Sequence, residues 1–114
     1  MTDLSKEMDT LGYSALVPYS KRVYLHNQRI GLISLNNEVA DKHYLYWFMR
    51  TSQYQRTIAG SASGTTVHHT SPSRICDVDV HFPDVATQRK ISRILDSIEE
   101  KIKKNEEINE NLVA

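Results

Sequence analysis

Apolar and polar residues follow a helical period at the C-terminal end of the chain. The run from Val85 to about Leu112 has no glycine or proline and consists mainly of strong helix formers, and Asp84 precedes it as a suitable N-cap. This pattern predicts one helix, about 42 Å long at about 1.5 Å per residue. A globular body of the remaining size has a radius of gyration of about 12 Å. We therefore expect the helix to protrude from the body.

The apolar positions of this helix have the spacing of a coiled coil, with steps that alternate between four and three residues. The seam consists of Ile91, Leu95, Ile98, Ile102, Asn105, Asn109 and Leu112. Because an overhanging apolar seam has no core of its own, it predicts a partner helix from a second copy or from another protein. The alternative is a single charged helix that frays after Lys104.

Three other segments have the composition and alternation of β-strands. Arg22–His26 and Arg29–Leu35 are rich in β-branched and aromatic residues and predict two short strands. Cys76–Phe82 alternates apolar and polar residues and is the clearest strand, with Cys76 expected to be buried in it. These strands predict a small mixed sheet.

A helix is expected to pack on this sheet. Asp41 is suited to cap a helix from about Lys42 to Ile58, and Ser71-Pro72 begins a turn or a short helix. The predicted fold class is therefore α+β: a small mixed sheet with one packed helix and a long protruding C-terminal coiled-coil helix. We expect an irregular segment at 1–11, a globular body at 12–83 and the long helix at 84–114.

The charges of the chain cancel only on average. Fourteen basic and fourteen acidic residues give a net charge of zero in 114 residues. The stretch 1–11 carries a net −2 and 94–114 a net −3, whereas 12–93 carries a net +5 and all five histidines. A basic body suits contact with a polyanion such as the DNA backbone. Uneven solvated surface charge is the alternative explanation.

No catalytic or metal-binding pattern is present in the sequence. A single cysteine excludes an internal disulfide, and the adjacent His68 and His69 would point to opposite faces of an extended segment. The loop Gly60–Gly64 has the small residues of a phosphate-contacting loop but lacks the lysine of a P-loop, so it is either a backbone-contacting loop or a flexible connector. We expect no cofactor, no metal, no signal peptide and no membrane span, and a cytoplasmic location.

Three runs, in this order and spacing, resemble the DNA specificity (S) subunit of type I restriction-modification systems. They are His26-Asn-Gln-Arg-Ile-Gly31, Tyr44-Leu-Tyr-Trp-Phe48, and Val80 to Ile91 with the long helix behind it. The similarity begins at about Gly12, so that 12–83 resembles the later part of one target-recognition domain and 84–114 the helix that follows it. The sequence departs from the family at 83–88, where the family more often has two prolines and an acidic residue before the glutamine. It also lacks the opening strands of a recognition domain, a second recognition domain and a second such helix.

The resemblance implies a non-catalytic DNA reader whose partners carry the methyltransferase and endonuclease activities. Its expected partners are double-stranded DNA, the methyltransferase subunit and a second copy paired through the long helix. The alternative is a truncated specificity fragment that acts only as a helical protein–protein interaction module without binding DNA. Arg29 and Gln28 can read base edges, although both can instead shape the fold. The candidate DNA contacts are Lys21, Arg22, Gln28, Arg29, Ser61, Ser63, Thr65, Thr66, His68 and His69.

Overall fold

A computed structural model describes residues 4–5, 11–36, 38–61 and 68–113. Most of the regular structure in these residues is helical. The elements in chain order are β1 (Leu4–Ser5), α1 (Lys42–Phe48), α2 (Ser52–Ser61), β2 (His68–His69), α3 (Pro72–Cys76) and α4 (Val85–Val113).

The prediction of an α+β fold with a small mixed sheet is wrong. Within the described residues, the only sheet is the antiparallel pair of the two-residue strands β1 and β2. The predicted strands Arg22–His26 and Arg29–Leu35 are irregular chain except for a single bridge residue, Ile30. They are joined by a turn at Asn27, whose carbonyl accepts a hydrogen bond from the Ile30 amide at 3.1 Å. β-branched residues favour a strand only where a neighbouring strand supplies hydrogen bonds and packing, and the described residues supply no such neighbour here.

The predicted strand Cys76–Phe82 is also wrong. Ser71 caps α3 by accepting a hydrogen bond from the Arg74 amide, and Pro72 occupies the first turn, as the sequence predicts. The helix continues to Cys76, which is exposed rather than buried, and Asp77 is its C-cap. The alternation from 77 to 82 therefore belongs to an unpaired segment between two helices.

The helix predicted over Lys42–Ile58 is two helices. Asp41 is the N-cap of α1, as expected, and accepts a hydrogen bond from the Tyr44 amide at 3.1 Å. The break follows from Thr51, whose hydroxyl donates to the Phe48 carbonyl at 2.7 Å and accepts from the Tyr54 amide at 3.3 Å. One threonine thus both ends α1 and begins α2.

The hydrophobic core is small and lies where α1, α2 and the chain before them meet. Leu11, Met49, Tyr54 and Ile58 are buried, and Leu45, Phe48, Ile75 and Val78 pack against them. Gly12 turns the chain beside this core with φ +70°, a conformation that favours glycine. The segment predicted as irregular at 1–11 therefore ends at Leu11 in a fully buried core residue.

The prediction of one long C-terminal helix is confirmed. α4 has 29 residues, and every described residue from Glu100 to Val113 is exposed. At about 1.5 Å per residue, these fourteen residues extend about 21 Å beyond the body. α4 packs on α1, so the body helix lies against another helix and not on a sheet. The division at 83/84 stays a prediction about domain organisation.

Candidate nucleic-acid interface

The first group of predicted DNA contacts lies on the irregular chain before α1. Lys21, Arg22, Gln28 and Arg29 are all exposed. The backbone here is held locally: the Arg22 amide donates to the Ser20 hydroxyl at 3.0 Å, and the Arg29 amide donates to Asn27 Oδ1 at 2.9 Å. Among the described residues, the three cationic side chains make neither an ion pair nor a hydrogen bond. They are available to an anionic ligand.

Gln28 differs from its neighbours because it also lines an apolar cavity. The cavity has a volume of about 730 Å³ and lies between 28–36, the end of α1, α3 and the segment 78–82. Gln28 therefore lies at the border between the exposed turn and the interior, a position that fits a role in shaping this part of the fold. Arg29 lies on the exposed side of the same turn.

The second group of predicted contacts falls largely outside the described residues. Ser63, Thr65 and Thr66 lie outside them, and Ser61 is the last residue of α2. His68 and His69 form β2, with their backbones paired to Ser5 and Leu4 respectively. The described residues therefore do not bring the two groups of candidate DNA contacts together, and each group stays a prediction.

The body and the long helix are joined by a buried glutamine. Gln88 is 0% exposed, and its side-chain amide donates to the carbonyls of Val39 and Pro83, both at 2.8 Å. Its Oε1 accepts a hydrogen bond from the Asp41 amide, also at 2.8 Å. One side chain thus fixes the start of α4 to the loop that leads into α1. Its amide nitrogen donates two hydrogen bonds and its oxygen accepts one, so the buried polar groups are satisfied.

A polar stripe continues this contact along α4. Asp96 accepts a hydrogen bond from the Trp47 indole at 2.7 Å and lies 2.8 Å from Nδ1 of His43. One turn further, Glu99 accepts from the Tyr46 hydroxyl at 3.0 Å. Burial and this hydrogen bond raise the pKa of Tyr46, so the phenol stays protonated as the donor. The buried Ser92, between these residues and Gln88, donates to Asp41 Oδ2 at 3.5 Å. We call Gln88, Ser92, Asp96 and Glu99 the polar joint.

The start of α4 has an additional local cap. The Thr87 hydroxyl donates to Asp84 Oδ1 at 2.5 Å. This hydrogen bond, together with backbone amides at the first turn, lowers the pKa of the Asp84 carboxyl. The carboxylate therefore lies at the positive end of the helix dipole, where a negative charge is favourable.

The predicted seam lies on a different face of α4 from the polar joint. Ile91 is 37% exposed, Ile98 53%, Ile102 52% and Leu112 78%, whereas Leu95 is half-buried. Asn105 and Asn109, the two polar seam positions, are exposed. The helix contacts its own body through polar side chains, and most of its apolar positions face solvent. Such an unpaired apolar stripe is typical of a helix that binds another helix.

The polar joint is the feature that sequence reasoning missed. Its signal was present, because positions 88, 92, 96 and 99 are four, four and three residues apart and lie on one helical face. The apolar stripe alone predicts that the helix contacts a partner helix and not its own body. The buried side of α4 is instead its polar side, a pattern that hydrophobic periodicity does not detect.

Among the described residues, no three histidine, cysteine or acidic side chains are placed to hold a metal ion. A search of the same residues for a membrane-spanning helix finds none.

A family model matches this chain. The model for the type I restriction modification DNA specificity domain matches residues 4–113. No curated protein matches the chain, and no solved structure does. The match covers nearly the whole sequence, including the polar joint and the exposed seam. It also includes the exposed segment with Lys21, Arg22 and Arg29, which we call the basic turn.

Proposed function

We propose that this chain, which belongs to the type I restriction modification DNA specificity domain family, binds double-stranded DNA through its basic body and assembles through α4. DNA recognition is the role of this family, and its domains are not catalytic. The DNA contacts of this particular chain and its assembly are our proposal. We further propose that it acts in the cytoplasm, as part of a restriction-modification complex.

The observation that carries the DNA-binding proposal is the group of free cations on the basic turn. Lys21, Arg22 and Arg29 are exposed within nine residues of chain and have no acidic partner among the described residues. Arg50, by contrast, lies over the rings of Tyr13 and Tyr46. Phosphate oxygens are suitable ligands for free Lys and Arg side chains, and such contacts orient a protein on the duplex.

The proposal is tested by fluorescence anisotropy with a labelled duplex at two salt concentrations. We expect affinity to fall steeply with salt, and the triple variant Lys21→Ala, Arg22→Ala, Arg29→Ala to reduce the slope of log K against log salt by about 0.9 for each phosphate that is no longer neutralised. The control variant removes Lys103, an exposed cation of the protruding helix. Salt-independent binding, or equal weakening in variant and control, would contradict DNA binding at this turn.

Gln28 and Arg29 require a separate measurement. If Arg29 reads a base, Arg29→Ala weakens binding to one preferred duplex more than to a random one, since a bidentate base contact contributes about 1–3 kcal/mol of discrimination. If Gln28 only shapes the cavity wall, Gln28→Ala lowers thermal stability and leaves discrimination unchanged. The remaining candidates (Ser61, Ser63, Thr65, Thr66, His68 and His69) are tested by alanine substitution in the same assay.

Assembly through α4 is the second part of the proposal. A homodimer with paired seams would hide the apolar stripe from Ile91 to Leu112 and place two basic bodies apart on one spacer. Asn105 and Asn109 would set the register of the pair at some cost in stability. The outer faces of the paired helices would then dock a methyltransferase subunit, the partner that supplies the chemistry.

Analytical ultracentrifugation tests this pairing. We expect Ile98→Asp with Ile102→Asp to abolish self-association at tens of micromolar, because each change places a charge in the seam. Lys103→Asp, adjacent to the seam but outside it, is the matched control and should still dimerise. A wild-type chain that stays monomeric at this concentration would refute the homodimer.

The exposed seam also favours a second function, that of an interaction module that binds no DNA. Every described residue from Glu100 to Val113 is exposed, so the helix is available to a protein partner whether or not the body contacts DNA. The two functions differ in the anisotropy experiment: the interaction module pairs normally in the centrifuge and shows no salt-dependent affinity for duplex DNA.

A further inference from the structure

Two tyrosines differ from the others in having no contact to their rings. The rings of the other four contact an aromatic ring or the guanidinium of Arg50; these tyrosines are Tyr13, Tyr44, Tyr46 and Tyr54. Tyr19 is fully exposed and Tyr24 is 52% exposed, and neither ring contacts an aromatic or cationic side chain within the described part of the chain. Each therefore presents an apolar ring face to solvent, where a flat ligand can stack on it.

The cationic side chains between these two tyrosines are also unengaged. Lys21 and Arg22 are exposed, and among the described residues they form no ion pair and lie over no aromatic ring. The backbone bends at this point, and the bend is held by the Ser20 hydroxyl, which accepts a hydrogen bond from the Arg22 amide at 3.0 Å. Residues 19–24 therefore present two ring faces and two positive charges within a short stretch of chain. We call these residues the tyrosine segment.

A single DNA strand offers ligands for both kinds of group. Its phosphates bind free Lys and Arg side chains, and its unpaired bases have flat faces on which tyrosine rings stack. In a duplex, each base is stacked between its neighbours and must leave the helix before a protein ring can cover its face. Duplex DNA would therefore use the cations of the tyrosine segment and leave its two rings unused. A purely apolar ligand would use the rings and leave the cations unpaired.

The spacing of the two tyrosines sets the length of strand that the segment can hold. Tyr19 and Tyr24 are five residues apart, which is at most about 17 Å of extended chain. Successive nucleotides of one strand are about 3.4 Å apart in a duplex and farther apart when the strand is stretched. The two rings can therefore contact bases a few nucleotides apart on one strand, with the intervening phosphates near Lys21 and Arg22.

We propose that the tyrosine segment binds unpaired bases of a single DNA strand, with Tyr19 and Tyr24 stacked on bases and Lys21 and Arg22 on the intervening phosphates. The choice of DNA as the ligand rests on the proposed function, since duplex and single strand share these cations. The rings add a preference that duplex binding does not require, which is affinity for a strand whose base faces are exposed.

Fluorescence anisotropy with a labelled oligothymidine of about ten nucleotides tests the proposal, and a duplex of the same length is measured in the same buffer. We expect Tyr19→Ala with Tyr24→Ala to weaken oligothymidine binding at least tenfold, because stacking of a base on each ring contributes at least about fivefold. The same variant should change duplex affinity less than about twofold. Lys21→Ala with Arg22→Ala should weaken the binding of both ligands and reduce the salt dependence of both.

Two further variants separate stacking from other effects. Tyr19→Phe with Tyr24→Phe keeps both rings and should retain oligothymidine binding within about threefold. Val23→Ala with Leu25→Ala is the matched control, since Val23 is 87% exposed and Leu25 is 92% exposed, and neither has an aromatic ring. This control should bind oligothymidine as tightly as the wild type. Circular dichroism verifies that each variant keeps its helices.

The two ligands together distinguish failure of the stacking site from failure of duplex binding. Equal weakening by the tyrosine-to-alanine variant and by the Val23 and Leu25 control would indicate a general apolar surface and overturn the site. Absence of oligothymidine binding, or oligothymidine binding that the tyrosines do not affect, would also overturn it, while salt-dependent duplex binding would leave the proposed function standing. Tyrosine-dependent oligothymidine binding without duplex binding would support the site and refute the duplex proposal.

Discussion

Replacing Gln88 with alanine is the most direct test of how the body holds the long helix. The substitution removes three hydrogen bonds of 2.8 Å and leaves the amide of Asp41 and the carbonyls of Val39 and Pro83 without that partner. Each such bond contributes about 1 kcal/mol net, and leaving a buried partner unsatisfied costs about 1–3 kcal/mol. The expected loss of unfolding free energy is therefore about 3 kcal/mol.

This loss is large compared with the stability of a small domain. Domains unfold with about 5–15 kcal/mol, and in a chain of this length 1 kcal/mol changes the melting temperature by about 4 °C. We expect the Gln88→Ala variant to melt about 12 °C lower than the wild type. Gln53→Ala is the matched control, because Gln53 is exposed on α2 and only its backbone carbonyl accepts a hydrogen bond, from the Thr57 hydroxyl.

Urea unfolding with two probes measures the effect. Circular dichroism follows all helices, whereas fluorescence of the single tryptophan, Trp47, follows the contact between α1 and α4. If the joint opens before the helices melt, the fluorescence transition of Gln88→Ala occurs at lower urea than the circular dichroism transition. Equal free energies for Gln88→Ala and Gln53→Ala, within about 0.5 kcal/mol, would refute a stabilising role for this side chain.

The stability of the Gln88→Glu variant is expected to depend on pH. The ionised carboxylate would face the carbonyl oxygens of Val39 and Pro83 at the positions where the amide now donates. Burial and these two acceptors raise the folded-state pKa of the glutamic acid above its unfolded value of about 4.3. The stabilising contribution of the protonated form is then fully present below the unfolded pKa and is lost as the pH rises through the folded pKa. The variant should be closer to the wild type at pH 4 than at pH 7.

Three other predictions follow from single contacts. Tyr54→Phe should change stability by less than about 1 kcal/mol in urea, because the buried Tyr54 hydroxyl has no hydrogen-bond partner among the described residues and burial raises its pKa to about 12; a larger loss would indicate a partner for it. Asp96→Ala should cost about 1–2 kcal/mol and change the emission of Trp47, its hydrogen-bond donor, whereas Lys103→Ala should change neither. Asp84→Asn should weaken the acid sensitivity of α4 measured by circular dichroism. The folded-state pKa of Asp84 is lowered. The stabilisation that the carboxylate gives to the helix is therefore present above the unfolded pKa of about 3.9 and is lost as the pH falls through the folded pKa. An unchanged acid titration would contradict this.

Local signals in the sequence predicted the helix starts at Lys42, Pro72 and Val85. Asp41 and Ser71 act as N-caps, as predicted, because an N-cap requires only a side-chain oxygen that accepts a hydrogen bond from the backbone amide three residues ahead. The long helix also depends mainly on local propensity and the absence of glycine and proline. The break at Thr51 was missed, because Thr51 itself fits a helix and only its hydrogen bonds to both neighbouring helices reveal the interruption.

The sheet could not be predicted correctly, because a strand depends on residues far away in the chain. Val23, Leu25 and Val80 have strand propensity, yet they are 87%, 92% and 37% exposed, respectively, in segments that have no neighbouring strand among the described residues. The alternation in the sequence therefore indicates only that these segments could form strands, and not that a neighbouring strand is present. This is also why the cavity beside Val80 was not foreseen: it exists only because the flanking segments stay apart.

The polar joint and the apolar stripe lie on separate faces of α4, and we therefore expect substitutions in the joint and substitutions in the stripe to have different effects. With 3.6 residues per turn, the polar joint from Gln88 to Glu99 and the apolar stripe from Ile91 to Leu112 are centred about 100° apart around the helix. A partner helix on the stripe therefore need not displace α1, and the proposed homodimer would leave the contact between the body and the helix intact. Substitutions in the joint should alter the angle between body and spacer without abolishing pairing, whereas substitutions in the stripe should abolish pairing without unfolding the body. If DNA is read at two half-sites, the first class changes the preferred distance between them and the second class reduces binding to that of a single body.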